Sequence, residues 1–180
     1  MEPDVVIRPE TSDDAAAVRA VHEAAFETPL EARLVDALRR NGKAFVSLVA
    51  EADGRVVGHI LFSPVTLVSS EQALVGAGLA PVAVTPSFQK RGIGKRLIRE
   101  GLTSCARNGT PFVVVLGAPA YYRQFGFRRA SARGVANEYG MDEEFMLIEL
   151  QGGALPSSGS LAKYAPEFAG AEEGHSGTTP

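Results

Sequence analysis

The stretch that decides the fold reads Val82-Ala83-Val84-Thr85-Pro86-Ser87-Phe88-Gln89-Lys90-Arg91-Gly92-Ile93-Gly94-Lys95. Its first residues are typical of a buried strand, and its glycines and cations open an amphipathic helix that we predict over residues 92–107. The first four N–H groups of any helix lack partners within that helix. Glycines let an anion approach those groups, where the helix dipole favours negative charge. The stretch therefore predicts a phosphate-binding turn.

Two common phosphate motifs do not fit this turn. A Walker motif needs a glycine in place of Gln89 and a hydroxyl residue in place of Arg96, and a dinucleotide motif needs a third glycine in place of Leu97. The simpler interpretation is that Gly92 and Gly94 only permit a tight turn beside a solvated basic surface. The combination of strand, free amides, glycines and cations favours the anion site instead.

The order of elements around this turn is that of a mixed α/β fold. Capping boxes at residues 11–14 and 28–31 predict the starts of two helices, and Asp53-Gly54 predicts a β-hairpin. The glycines and Pro81 of the strand at residues 74–85 indicate a bulge or a close approach of the backbone. We predict strands at residues 5–7, 44–51, 55–65, 74–85, 112–116 and 145–150, with a fourth helix at about 119–125.

Composition excludes several classes of protein. The chain has 180 residues, with 18 basic and 21 acidic side chains and a net charge of −3, which argues against a nucleic-acid-binding protein. Cys105 is the only cysteine, so no intrachain disulfide forms, and no cluster has metal-ligand spacing. The longest uncharged run, residues 72–89, is broken by glycines and prolines and does not predict a membrane span. Since no secretory signal is visible, we expect a cytoplasmic protein without a metal.

The chain divides into two regions. We predict a domain at residues 1–151 and a C-terminal extension at residues 152–180, which is rich in Gly, Pro and Ser. We expect Leu161, Tyr164 and Phe168 to dock the extension up to about residue 168, because these side chains offset the cost of ordering it. The remainder is expected to be disordered.

Three further motifs identify a family. The pattern Gln89-x-x-Gly92-x-Gly94 after the strand resembles motif A of the GNAT superfamily of acetyl-CoA-dependent N-acetyltransferases. The segment Tyr122-Arg123-Gln124-Phe125-Gly126-Phe127 resembles the end of its motif B, and residues 58–65 and 119–122 resemble its YhbS-like branch. The resemblance covers about residues 5–150. It implies a central, mostly antiparallel sheet with a splayed parallel strand pair, flanked by helices.

The resemblance also implies a site for acetyl-CoA as co-substrate. In the family, the loop amides hold the coenzyme A pyrophosphate and the preceding strand binds the pantetheine arm through its backbone. A backbone N–H of that strand, at Val82 here, stabilises the oxyanion. The implied coenzyme-binding residues are Val82, Ala83, Val84, Gln89, Lys90, Arg91, Gly92, Ile93, Gly94 and Lys95.

Tyr122 is the candidate general acid. Its ordinary pKa of about 10 keeps it protonated at neutral pH, yet lies near the value of about 8.5 for a thiol that must be protonated as it leaves. The alternative is a tyrosine that only packs on the sheet. Its position in the family motif favours the acid.

The general base stays open. Histone-modifying relatives carry a glutamate four positions before the Val82 equivalent, where this chain has Gly78, and the pantetheine-binding Asn that several relatives carry near Val115 is also missing. The open candidates for the base are Glu27, Glu31, His59 and Glu71.

The motifs predict an enzyme that transfers an acetyl group from acetyl-CoA to a primary amine by direct attack on the thioester. Two alternatives stay open, a non-catalytic acyl-CoA-binding regulatory module and a transferase of a longer acyl group. The acceptor is a small amine, an aminoglycoside-like molecule or a protein N-terminus, and the sequence does not choose between them. Whether the chain forms a homodimer is equally open.

Overall fold

Nine strands form one sheet in the computed structural model, which describes residues 4–170. The strands are β1 (Val5–Pro9), β2 (Val46–Ala52), β3 (Arg55–Val68), β4 (Ala73–Val84), β5 (Phe112–Leu116), β6 (Arg128–Arg129), β7 (Val135–Asn137), β8 (Phe145–Glu149) and β9 (Ser160–Tyr164). The helices are α1 (Ala15–Ala25), α2 (Leu30–Arg40), α3 (Ile93–Arg107) and the single turn α4 (Pro119–Tyr122). No helix within the described range is long and apolar enough to cross a membrane.

The sheet contains the splayed strand pair that the family resemblance implied. The strand order is β1-β2-β3-β4-β5-β8-β6, and β9 lies against both β3 and β7. Most neighbours are antiparallel, but β4 and β5 are parallel and pair only at Ala77–Val113 and Gly78–Val114. Beyond Gly78 the two strands diverge, and β4 continues alone on that side to Val84. The predicted mixed fold is confirmed.

Helices cover both faces of the sheet, as their apolar spacing requires. Helix α3 buries Leu97 and Ile98 against one face, in a core shared with Val82 of β4. Helices α1 and α2 bury Val18 and Leu38 against the other face. The side chains of β4 consequently alternate between an α3 side and an α1 side.

Local backbone chemistry shapes the two longest strands. Asp53 and Gly54 both have positive φ, 49° and 73°, as the two-residue turn of the β2–β3 hairpin needs. A bulge interrupts the β3–β4 register between Leu79 and Val82. A Cβ atom on Gly76 would lie 2.5 Å from the Phe112 ring, so the backbone approaches that ring as only glycine permits.

The C-terminal extension contributes a strand that we did not predict from the sequence. Strand β9 pairs antiparallel with β3 and parallel with β7. Phe168 is buried and Tyr164 half-buried, whereas Leu161 is exposed. The domain boundary at residue 151 stays a prediction, and most of the segment predicted to be disordered, residues 171–180, lies outside the described residues.

Candidate active site

The backbone of β4 presents polar groups to the gap between β4 and β5. The N–H of Thr85 donates to the Val57 carbonyl at 2.9 Å, and Ala83 lies opposite His59 in β3. The backbone N–H and C=O groups of successive residues alternate between the two edges of a strand. Since Thr85 bonds to β3, Ala83, two residues earlier, also directs its backbone groups to β3. The polar groups of the two flanking residues, Val82 and Val84, therefore point away from β3 into the gap.

Gln89 holds the end of this strand in place. Its side-chain amide donates to the Val84 carbonyl at 2.9 Å, which fixes the turn to the strand. Two N–H groups, those of Val82 and Val84, and the Val82 carbonyl are left facing the gap. An extended ligand with amide groups would pair with this edge as a further strand does.

The turn after β4 ends at the unpaired amides of α3. Gly92 has φ of 77° and precedes the helix, and Lys90 also adopts a left-handed conformation, with φ of 61°. The first helical hydrogen bond runs from the Arg96 N–H to the Gly92 carbonyl at 3.1 Å. The N–H groups of residues 92–95 consequently have no acceptor within the helix. The side chain of Ile93 is buried beneath the turn, so Ile93 contributes only its backbone N–H to the N-terminus of α3.

The basic side chains at the N-terminus of α3 differ in the contacts that they make. Arg91 lies 5.1 Å over the Phe88 ring, and Arg96 donates to the backbone of β1 at 2.8 Å. Lys90 and Lys95 are exposed and form no ion pair with any residue between 4 and 170. Both lysines are thus available to an anion at the helix N-terminus.

Tyr122 belongs to the core between the sheet and α3. Its side chain is 5% exposed, and its ring meets that of Phe127 edge-on at 5.8 Å. A Cβ on Gly117 would lie 2.3 Å from the ring, so a glycine is needed there. Burial raises the pKa of Tyr122 further above its ordinary 10. The hydroxyl forms no hydrogen bond with any residue between 4 and 170, so nothing described competes for its proton.

Gly78 occupies the position of the glutamate that histone-modifying relatives carry. On the α1 side of the sheet there is no room beside Gly78 for a larger side chain. A Cβ on Gly78 would lie 2.8 Å from Cγ2 of Val65 and 3.0 Å from the ring of Tyr164. Tyr164 comes from β9 and reaches the place where β4 and β5 diverge. The sequence carried no local signal for this contact, because the two residues are 86 positions apart in the chain.

The four candidate bases lie in unlike surroundings. His59 is fully buried and is hydrogen-bonded between His22 and a serine of β2. Glu31 lies 3.4 Å from the threonine of its own capping box. Glu27 is exposed just beyond α1, and Glu71 is exposed in the turn between β3 and β4. Across residues 4–170, no group of three His, Cys, Asp or Glu side chains could hold a metal ion.

Comparison with known families accounts for this geometry. The sequence-family model for the acetyltransferase (GNAT) domain matches residues 6–130 of this chain. This chain belongs to the GNAT acetyltransferase family. The GNAT resemblance stated from motifs A and B is confirmed, and the parallel β4–β5 pair followed by the α3 turn is the fold that it implied.

Individual GNAT relatives match nearly the whole chain. The uncharacterized N-acetyltransferase YhbS of Escherichia coli K12 is 35% identical over 166 residues, which cover 91% of this chain and 98% of YhbS. A crystal structure of Escherichia coli YhbS in complex with CoA superposes with a TM-score of 0.87 at 34% identity over 94% of both chains. A GNAT acetyltransferase from Brucella melitensis in complex with acetyl-CoA gives 0.74 at 36% identity, over 93% of this chain and 99% of the other.

Proposed function

We propose that this acetyltransferase binds acetyl-CoA along the open edge of β4 and transfers the acetyl group to a primary amine. The observation that carries the proposal is the continuity of the open β4 edge with the unpaired amides of residues 92–95. The edge suits the amide groups of the pantetheine arm, and the amides suit its pyrophosphate. The CoA and acetyl-CoA complexes of the two structural relatives support this assignment.

The coenzyme-binding residues divide by the group that each would offer. Val82 and Val84 offer backbone groups to the pantetheine arm, and Gly92, Ile93, Gly94 and Lys95 offer amides to the pyrophosphate. Lys90 and Lys95 add mobile positive charge. Ala83, Gln89 and Arg91 act indirectly, because their polar groups already bond to β3, to β4 and to the turn itself.

The chemistry is a direct attack of the neutral amine on the thioester carbon. The carbonyl oxygen becomes an oxyanion that the Val82 N–H stabilises, and such a preorganised donor contributes about 3 kcal/mol. The C–S bond then breaks, and the Tyr122 hydroxyl gives its proton to the departing thiolate. Burial keeps Tyr122 protonated at neutral pH, but it also raises the pKa of Tyr122 further above that of the thiol, so proton transfer has to accompany the breaking of the C–S bond.

A screen of amine acceptors tests the proposal. Acetyl-CoA is incubated with the full chain and a panel of small amines, aminoglycosides and peptides with free N-termini, and the released thiol is measured. Thiol release that depends on one amine supports the proposal. CoA binding by calorimetry without thiol release for any amine would contradict it and favour the regulatory binding module.

The same purified protein serves to measure the preferred acyl length and the oligomeric state. Comparing acetyl-CoA with butyryl-CoA and octanoyl-CoA measures the preferred acyl length, which we expect to be acetyl. Whether the chain forms a homodimer stays open, and light scattering of the purified chain at several concentrations decides it.

A further inference from the structure

The ring of Tyr164 covers the apex of the gap between β4 and β5. The two strands pair for the last time at Gly78, and beyond it they diverge. A Cβ atom on Gly78 would lie 3.0 Å from Cε1 of the Tyr164 ring and 3.6 Å from its Cδ1. Because Cε1 is bonded to the carbon that carries the hydroxyl, the hydroxyl end of Tyr164 is the part of the ring nearer to Gly78.

Several contacts hold this ring in one place. The backbone N–H of Tyr164 donates to the Glu138 carboxylate at 3.2 Å, and β9 pairs Tyr164 with Val65 of β3. The ring also contacts those of Tyr139 and Phe168, whose centroids are 5.6 and 5.2 Å away. The position of the hydroxyl is therefore set by the fold before any ligand arrives, which lowers the cost of binding to it.

The hydroxyl of Tyr164 is unpaired. It forms no hydrogen bond with any residue between 4 and 170. Phenylalanine would fill the same space, and an unpaired hydroxyl on a half-buried side chain is unfavourable. Burial raises the pKa of Tyr164, so the hydroxyl stays protonated at neutral pH. Its oxygen is consequently a neutral hydrogen-bond acceptor and does not serve as a general base.

A second unpaired hydroxyl beside Gly78 is closed off from solvent. Ser63 lies directly opposite Gly78 in β3, and its Oγ is buried without a partner in the described range. Ser63 is 0% exposed, whereas Tyr164 is only half-buried. Of these two hydroxyls, that of Tyr164 is the one on a residue with exposed surface.

The register of β3 and β4 gives the distance from Tyr164 to the proposed oxyanion site. Gly78 lies opposite Ser63 of β3. Val82 lies opposite Ile60, three positions earlier, so about 10 Å of extended strand separates it from Gly78. A hydrogen bond from Val82 to the thioester oxygen, the approach of the amine to the thioester carbon, and a hydrogen bond from the amine to a hydroxyl each take about 3 Å. In sequence, the three span the distance from Val82 to the hydroxyl end of Tyr164.

The two faces of the sheet differ at this gap. On one face, Tyr122 and the buried side of α3 pack in the same core as Val82. An acceptor that approached from that face would have to displace a side chain that is 95% buried, together with the helix. On the other face, Tyr164 packs with the core of α1 and α2 and borders the apex of the gap. The acceptor therefore meets the thioester on the face where Tyr164 lies.

Resting on the proposed function, we infer that Tyr164 is the residue that binds the acceptor amine. Its hydroxyl oxygen accepts a hydrogen bond from the ammonium group as the acceptor arrives. After the ammonium group has lost one proton, a remaining N–H keeps this hydrogen bond, and the nitrogen lone pair points at the thioester carbon. The ring closes the apex, so the rest of the acceptor extends away from Gly78. The general base stays open.

The variant Tyr164→Phe removes the hydroxyl and keeps the ring. The probe is acetyl-CoA with the primary amine that releases most thiol in the acceptor screen. Because a hydrogen bond to a charged group is lost, we expect KM for that amine to rise roughly 10- to 100-fold while kcat stays near its wild-type value. The Kd of acetyl-CoA and the melting temperature should also stay near wild type, because the ring still fills the space beside Gly78.

Ser63→Ala is the matched control. It also removes one unpaired hydroxyl beside Gly78, but that hydroxyl is enclosed in the sheet. We expect wild-type KM and kcat from this variant. An equal rise of KM in Ser63→Ala and Tyr164→Phe would mean that the loss of either hydroxyl disturbs the packing, and it would overturn the assignment.

Tyrosine labelling detects the contact without turnover. The chain has four tyrosines, so protein labelled with ¹³C at the tyrosine Cζ gives four signals, and Tyr164→Phe identifies the signal of Tyr164. The labelled protein is saturated with CoA and titrated with each amine of the acceptor panel. We expect the Tyr164 signal to shift with the amine that supports thiol release.

The outcomes distinguish this inference from the proposed function. A folded Tyr164→Phe variant with the wild-type KM would overturn the role of Tyr164 alone. A wild-type chain that binds CoA but releases no thiol with any amine would remove the proposed function, and the titration would then decide the inference by itself. A Tyr164 signal that shifts with an amine of the panel supports an amine-binding residue, and a signal that responds to none of them refutes it.

Discussion

Replacing Gly92 with alanine tests the anion site with little disturbance of the fold. Gly92 has φ of 77°, and a Cβ built on it meets no atom within 4 Å. The only cost in the free protein is the left-handed conformation, about 1–2 kcal/mol of unfolding free energy for an L residue. For a chain of this size, that cost corresponds to a melting temperature lower by roughly 2–8 °C.

The same methyl group stands where the pyrophosphate would lie against the amides of α3. A hydrogen bond to a charged group is worth about 1.5–3 kcal/mol, so the loss of one such bond weakens CoA binding roughly 10- to 150-fold. Isothermal titration calorimetry with CoA measures this change directly. Differential scanning calorimetry on the same sample measures the melting temperature.

Gly42→Ala supplies a matched control at the end of α2. Gly42 has φ of 66° and equally open surroundings, so the substitution carries the same conformational cost far from the turn. We expect both variants to lose similar stability and only Gly92→Ala to lose affinity for CoA. Equal CoA affinity in the two folded variants would refute the assignment of the α3 turn as the pyrophosphate site.

Three further predictions concern catalysis, acid stability and the C-terminus. Tyr122→Phe should lower kcat roughly 10²- to 10⁴-fold in the thiol-release assay while the Kd of acetyl-CoA is unchanged, and full activity would make Tyr122 a packing residue. The free energy of unfolding should fall as the pH drops from 6.5 towards 3, because the unfolded state protonates His22 and the folded state does not. Between pH 4.5 and pH 2, protonation of Glu10 should lower the free energy of unfolding by about 3 kcal/mol more, because the pKa of Glu10 is lower in the folded state than in the unfolded state. Thermal melts across this range check both, and a flat profile would contradict them. Truncation after Gly170 should leave the melting temperature and CoA affinity unchanged, whereas a drop in either would assign the tail a structural or binding role.

Features encoded over short stretches of chain could be predicted from the sequence. The Asp53-Gly54 hairpin, the start of α3 and the buried strand β5 each follow from turn chemistry or apolar spacing within a few residues. The glycines of β4 indicated a close backbone approach, and the ring of Phe112 against Gly76 confirms it. The family motifs are equally local, and for that reason the β4–α3 turn could be predicted from its residues alone.

Features that join distant segments required the tertiary structure. Strand β9 lies in a stretch whose Gly, Pro and Ser content is typical of a loop, and it becomes a strand because β3 and β7 offer free edges. Its residue Tyr164 fills the space beside Gly78, which excludes the glutamate arrangement of the histone-modifying relatives from that face.

The buried histidines show the same limit most clearly. The sequence indicated His59 as a candidate base and His22 as a helix residue, but it carried no sign that the two meet. Their contact depends on the β2–β3 register and on how α1 crosses the sheet, which are set by the packing of the whole core. The candidate phosphate-binding turn is readable in the chain because its amides and glycines are neighbours there. The contact between the two histidines and the contact of Tyr164 with Gly78 depend on tertiary packing, because their residues come from α1, β3, β4 and β9.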